Sequence, residues 1–262
     1  MPELPEIEHL VILLRPRLVG RSIVGVRCRQ PKLLNLPLKE YSSRVRGRIV
    51  AVERRGKHCV LRLESGSVWL HLGLGGFVAV GPRLDAEPHL GLALDDGREL
   101  TVDKVFMGRA YYYPEAEFAA RWAELGPEPL ADEFTLPVLQ GILGRKARQS
   151  LKALLMDQKL IAGIGNYYSD EILHAARLHP ARQAGSLVDA EAARLHAAVK
   201  AVLSEAVAAG GEADFVDIHG RGGGYHPHVH GRETCLDCGG PVQRESLGGR
   251  TAYFCPSCQP AP

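Results

Sequence analysis

The stretch Leu125-Gly-Pro-Glu-Pro-Leu130 divides the chain. Two prolines and a glycine so close together cannot continue a helix or a central strand, so they mark a boundary. Before it, short alternating apolar and polar runs over 22–29, 48–54, 58–63, 67–72, 76–80, 90–94, 99–102 and 110–113 are punctuated by Gly and Pro. That spacing predicts a sandwich or barrel of about eight strands. After it, 136–144, 150–157, 166–176 and 189–209 carry helical periodicity. Asp189 is placed to N-cap the last of these helices, and Gly210-Gly211 to stop it. One more helix is expected ahead of the strands, over 3–15, where Ile7, Leu10, Val11 and Leu14 recur at helical spacing behind Pro2 and Pro5. The glycine-rich 220–224 reads as a flexible loop, and 234–259 as a small cysteine module. The expected organisation is a strand-rich domain over 1–124, a linker over 125–135, a helical domain over 136–233 and the cysteine module over 234–260.

Hydrophobic residues are 45% of the 262 and charged residues 24%. That is ample apolar mass for a core and excludes a disordered chain. No apolar stretch approaches ~18 residues, so no membrane span is expected. The start has no basic segment ahead of an apolar run; a secretory signal is not expected, and the expected compartment is the cytoplasm. Net charge is only +2, but it is unevenly spread. Residues 15–62 hold fourteen Lys/Arg against two acids, a local balance of +12, whereas 84–135 hold twelve acids against four bases, a balance of −8. A basic face beside an acidic one and ordinary solvated strand faces are equally compatible with that asymmetry.

Four of the six cysteines, Cys235, Cys238, Cys255 and Cys258, form two C-x2-C knuckles sixteen residues apart. Two such knuckles bring four thiolates to one tetrahedral ion, so one structural Zn2+ in a ribbon is expected rather than two disulfides. A module this small has no core of its own without the metal. Cys28 and Cys59 fall in strand patterns and read as small buried hydrophobes. The hairpin between the knuckles, 244–253, would present Arg250 at its tip.

At the other end, removal of Met1 would leave Pro2 with a secondary amine. An α-amino group titrates near neutrality, far below lysine, so it is a usable nucleophile toward a sugar C1′ or an aldehyde. Glu3 and Glu6 follow on the first helical turn, where a carboxyl group could serve as acid. Pro and Glu are also simply favoured at helix starts, and spacing alone favours that reading.

Pro2-Glu-Leu-Pro-Glu-Ile-Glu8 resembles the start of the formamidopyrimidine-DNA glycosylase / endonuclease VIII family, and further motifs follow in the same order. Arg54-Arg-Gly-Lys57 resembles its catalytic-lysine turn, and His71-Leu-Gly-Leu-Gly-Gly76 its void-filling loop. Leu125-Gly-Pro-Glu-Pro-Leu130 resembles the interdomain segment, and Leu155-Met-Asp-Gln-Lys159 through Gly163-Ile-Gly-Asn166 the helix–two-turn–helix. The ribbon with Arg250 completes the series, and the formamidopyrimidine-DNA glycosylase branch is the nearer one.

The resemblance implies an α+β multidomain fold: an N-terminal two-layered β-sandwich with a flanking helix, then a helical helix–two-turn–helix domain ending in a zinc ribbon. It implies a base-excision-repair glycosylase that flips an oxidised base out of damaged double-stranded DNA and nicks the strand. By similarity Pro2 attacks C1′, Glu3 protonates the deoxyribose ring oxygen, Lys57 serves β-elimination and Arg250 serves δ-elimination. Glu6 and Glu171 match pocket or water-channel carboxylates. His71, His89, Lys152 and Asn166 match backbone-contacting positions, and Leu74, Met107 and Arg109 belong to the loops that meet the duplex. His226, His228 and His230 read as exposed loop or strand residues. The family's usual Asp-x-Arg-x-Phe-Gly is here Asp103-Lys-Val-Phe-Met-Gly108, with Val105 at the arginine and Met107 at the phenylalanine; Leu74 replaces a methionine. The lesion-capping region over 217–229 is short. Lesion and opposing-base preference therefore stay open. The leading expectation is removal of 8-oxoguanine and formamidopyrimidine; an endonuclease VIII-like enzyme for oxidised pyrimidines or abasic sites, and a non-catalytic lesion-binding protein, are the alternatives. A monomer associated with the nucleoid, with no membrane partner, is expected.

Overall fold

A computed structural model describes residues 1–261 of the chain. It divides into two compact units, 1–124 with 213–223, and 125–212 with 224 onward.

The first unit begins with α1 (Leu4–Leu18), whose Leu4, Ile7, Leu10, Val11, Leu14 and Leu18 are buried in one stripe. The helix runs a turn past the expected end because Leu18 still has core to cover. Then come β1 (Ser22–Arg27), α2 (Leu38–Arg44), β2 (Gly47–Arg55), β3 (His58–Leu63), β4 (Gly66–His71), β5 (Phe77–Pro82), β6 (Leu90–Leu94), β7 (Arg98–Asp103), β8 (Arg109–Pro114) and α3 (Glu115–Ala123). The strands pair antiparallel in the order β5-β7-β6-β1-β2-β3-β4-β8. Only Ser22↔Arg48 and Ile23↔Gly47 join the halves of that series. Side chains from both halves and from α1 share one core, among them Ile23, Leu92 and Val102 from one half and Val52, Leu61 and Leu70 from the other. The result is the two-layered arrangement expected, with α1 flanking it. Each such aliphatic side chain contributes about 1.5–3 kcal/mol by leaving water.

The eight strands fall where the alternation put them, but α2 and α3 were not foreseen. α3 is held by aromatic contact rather than an aliphatic stripe: Phe118 and Trp122 each lie 6.1 Å from Trp69 of β4. The basic and acidic runs are also brought partly together. Strand order sets the two runs side by side, pairing Arg21 with Asp96, Arg27 with Glu99, Arg29 with Asp103 and Arg62 with Glu115. The 213–223 segment is not the loose loop that its glycines suggest. Phe215 enters the core, and the buried Asp217 carboxylate accepts the backbone N–H groups of His219 at 2.7 Å and Arg221 at 3.0 Å.

The second unit contains α4 (Leu136–Arg145), α5 (Leu151–Met156), α6 (Asn166–Ala175), α7 (Asp189–Ala208) and the hairpin β9 (Gln243–Leu247)–β10 (Arg250–Phe254). Asp189 is already helical. The cap is Val188, whose N–H is received by Glu191 at 3.1 Å. Between α5 and α6 one side chain organises the backbone. Gln158 accepts the Gly163 N–H at 2.9 Å and donates to the carbonyls of Met156 at 2.9 Å and Ile164 at 2.6 Å. Among the described residues no helix is long and apolar enough to cross a membrane.

Candidate active site and metal centre

Pro2, Glu3 and Glu6 are all buried at the start of α1, with Glu6 fully so. The Glu6 carboxylate receives the Glu3 backbone N–H at 2.7 Å, a charge-assisted bond at a helix N-terminus where negative charge is favoured. Lys57 is only 8% exposed and lies in the two-residue turn between β2 and β3. Gly56 precedes it with φ +54, the first central position of a type II′ turn that twists with the strands. Two arginines brace this hairpin. Arg54 donates to Glu8 of α1 at 2.7 Å and to the Gly56 carbonyl at 3.1 Å. Arg55, buried, donates twice to the Trp122 carbonyl, at 3.0 and 2.9 Å. Glu8 and Arg54 were missed as supports, since nothing in their spacing links a helix to a strand forty-six residues on.

His71 ends β4 and accepts the Gly73 N–H at 3.2 Å through Nδ1. Burial first, then the neighbouring His58, Lys57 and Arg109 charges, push its pKa down to about 4, so the ring is neutral at pH 7. Beyond it the 73–76 loop meets the 104–108 loop. Leu74 and Phe106 exchange backbone hydrogen bonds of 2.7 and 3.2 Å. Gly73 is required there, because a Cβ would sit 2.1 Å from the Phe106 carbonyl oxygen. The exchange leaves Leu74, Phe106 and Met107 exposed at the tip, with Met107 in the left-handed region at φ +60. Arg109 is exposed at the start of β8. His89, expected to face phosphate, accepts the Val105 N–H at 3.2 Å through Nδ1, and its Nε2 lies 3.5 Å from Asp103.

In the second unit Asn166 is the first residue of α6, with Gly165 as its cap. Its Oδ1 is buried without a hydrogen-bond partner among the described residues. Lys152, expected at the DNA backbone, is fully buried. Its ammonium donates to Asp170 at 2.6 Å and to the Asn166 carbonyl at 2.7 Å, so it orients the start of α6 instead of meeting solvent. Asp170 also pairs with His230 at 2.7 Å. Glu171, expected to line a pocket, is a backbone clamp. Its two oxygens accept the N–H groups of His228, Val229 and His230 at 2.6, 3.1 and 2.8 Å. The backbone at His228 and His230 is thus held and the His230 ring is paired with Asp170, while the His228 side chain stays 38% exposed; sequence offered no signal for Asp170 or His230. Arg250 is exposed at the start of β10, directly after the Gly248-Gly249 turn.

The four sulfurs of Cys235, Cys238, Cys255 and Cys258 lie within 4.8 Å of one another. Cys235–Cys258 is 4.0 Å and Cys238–Cys255 is 3.5 Å. A tetrahedral zinc thiolate site has edges of about 3.8 Å, so the donor set fits a structural metal. The Gly240 N–H, 3.4 Å from Cys238 Sγ, leads the contacts that draw that thiol's pKa down to about 7.

Comparison with known proteins covers nearly all of the chain. Residues 1–105 match the model of the formamidopyrimidine-DNA glycosylase N-terminal domain, 125–216 that of the formamidopyrimidine-DNA glycosylase H2TH domain, and 232–261 that of the zinc finger found in FPG and IleRS. The chain belongs to the formamidopyrimidine-DNA glycosylase family. A relative of that name from Chloroflexus aggregans is 39% identical over 272 residues, covering 99% of this chain and 98% of the other. The crystal structure of the MutM (FPG) protein from Thermus thermophilus superposes with a TM-score of 0.85 at 37% identity, covering 98% of each chain. A Lactococcus lactis FPG mutant in complex with DNA containing Fapy-dG gives 0.90 at 27% identity, covering 99% of this chain and 100% of that one. Val105, at the position expected to hold an arginine, is only 4% exposed, and the residue reaching outward beside Met107 is Phe106.

Proposed function

We propose that the chain removes oxidised bases from duplex DNA and cuts the strand there, as a bifunctional glycosylase and abasic-site lyase. The observation that carries this is the buried start of α1, where Pro2 is followed by Glu3 and Glu6, with Lys57 held in a braced hairpin of the same unit. With Met1 removed, the Pro2 nitrogen bonds to C1′ as the base leaves with its bonding electrons, giving an iminium once the ring opens. Glu3 supplies the proton to the ring oxygen. Loss of a C2′ proton, in steps served by Lys57, expels the 3′ phosphate. Arg250 serves the δ-elimination that expels the 5′ phosphate, leaving a one-nucleotide gap. The target nucleotide must be extruded, because C1′ is shielded inside the stack.

Asn166 at the start of α6 is suited to a DNA phosphate, its helix N-terminus favouring an anion. Arg109 and the neutral His71 touch the DNA backbone. Lys152 and Glu171 act by positioning. The four cysteines hold one zinc ion, which ties the ribbon into a folded module. Leu74, Phe106 and Met107 form an apolar wedge against the stack. With Val105 buried, no hydrogen-bonding side chain at that position reads the opposite base, which favours a broader substrate range than cytosine-paired purine lesions. The protein acts as a monomer on DNA in the cytoplasm, at the nucleoid.

Borohydride trapping tests the reading. The wild-type chain is expected to form a covalent adduct with an abasic-site duplex, and Pro2→Gly far less, by at least about 100-fold. A wild type that binds the duplex but never traps would favour a lesion-binding protein instead.

A further inference from the structure

We propose that His174 is a positioning residue for the ribbon, donating its Nε2–H to the Cys235 thiolate; this rests on the zinc reading above. His174 lies buried in the last turn of α6, and its Nε2 stands 3.3 Å from Cys235 Sγ. A metal-bound cysteine is a thiolate and has no proton to give, so the ring nitrogen facing it must carry one. The surroundings favour the same tautomer. Asp237 Oδ2 is 3.8 Å from that nitrogen, and Asp237 Oδ1 is held by His228 Nδ1 at 2.6 Å. The His228 and His174 ring centroids are 5.7 Å apart, so the two imidazoles flank one carboxylate. Four thiolates around a divalent ion carry a net charge of −2, and N–H donors disperse it. Gly240 does so for Cys238, at 3.4 Å, from the backbone. His174 does so for Cys235 from a helix of the same unit, which ties the metal module to α6.

His174, His228 and Asp237 also present ligand atoms within 4.8 Å of one another, which makes a second metal ion the competing occupant. That ion would need the lone pair on His174 Nε2, the atom that faces the Cys235 sulfur. It would also compete with His228 for Asp237.

The test uses the full-length protein as wild type, His174→Phe and His174→Gln, with metal content by mass spectrometry and zinc release to a chromogenic chelator. Wild type is expected to hold one zinc per chain. His174→Phe should bind it 10–100-fold more weakly, the usual effect of losing a ligand's hydrogen-bond partner. His174→Gln, which keeps an N–H donor, should recover most of the loss. The cobalt-substituted protein should show a shifted thiolate-to-metal charge-transfer band in His174→Phe and a near-normal one in His174→Gln. Wild-type release from a His174→Phe protein that carries one zinc would overturn the proposal. So would two ions per wild-type chain falling to one in His174→Phe. Wild type without any metal would sink the zinc reading itself, and this role with it.

Discussion

Glu6 and Lys152 are both charged-type side chains with no exposed surface, yet their surroundings differ. Glu6 sits on a helix whose other inward positions are aliphatic, and it is satisfied locally by a backbone N–H. Lys152 sits in a polar network with Asp170, His230 and the start of α6. The first unit packs its site on a shared apolar core and adds a few part-buried polar braces, Arg54 to Glu8 and Arg55 to the Trp122 carbonyl. The second places its groups with ion pairs, carboxylate clamps and a metal-ready cluster. Removing one partner from a buried charge network leaves the other as an uncompensated buried charge.

The sharpest break of that comparison is metal removal. Chelating the zinc should abolish tight DNA binding, by at least about 100-fold, while the melting of the strand-rich unit is unchanged. Binding measured by fluorescence anisotropy after verified metal loss would contradict this if it stayed intact.

Lys152→Met comes next. It leaves the buried Asp170 carboxylate without its ammonium partner and should cost about 3–5 kcal/mol in urea unfolding of the second unit. Adding Asp170→Leu should restore most of that. A single variant as stable as wild type would show that the network is not what holds α6.

His71 probes the first unit. Unfolded, a histidine titrates near 6.5, whereas the folded ring titrates near 4 because burial disfavours its charge. Between those values the unfolded chain takes the proton first. Stability present at neutral pH is therefore lost as pH falls from 6.5 to 4, by about 3 kcal/mol. His71→Gln should flatten that slope, and an unchanged slope would remove His71 from the account.

The smallest effect is at the loop tip. Cleavage of 8-oxoguanine opposite cytosine and opposite adenine should differ by less than about 10-fold, since an apolar wedge reads no hydrogen-bond pattern. Strict cytosine dependence would mean that Lys104 or Arg109 reaches the base.

Much of this was legible in the chain itself. The strands declared themselves because alternation and Gly/Pro punctuation are local signals. α2 did not, being seven residues long inside a basic run, nor did α3, whose half-buried aromatics answer to Trp69 on another element. The cysteines and the Pro2 segment are short motifs and could be read directly. The partners of Lys152, Glu171 and His89 within the fold were not legible, because a residue type does not reveal whether its partner is solvent, DNA or a carboxylate brought in by the fold. The charge asymmetry left two readings open for the same reason. Arg27 meets Glu99 only once strand order is known.

The central claim is that the Pro2 nitrogen is the nucleophile. Peptide mapping of the borohydride-trapped adduct by mass spectrometry tests it most directly. The expected result is the deoxyribose remnant on an N-terminal peptide that begins at Pro2. An adduct on Lys57, or efficient strand cutting by a chain that still carries Met1, would contradict it.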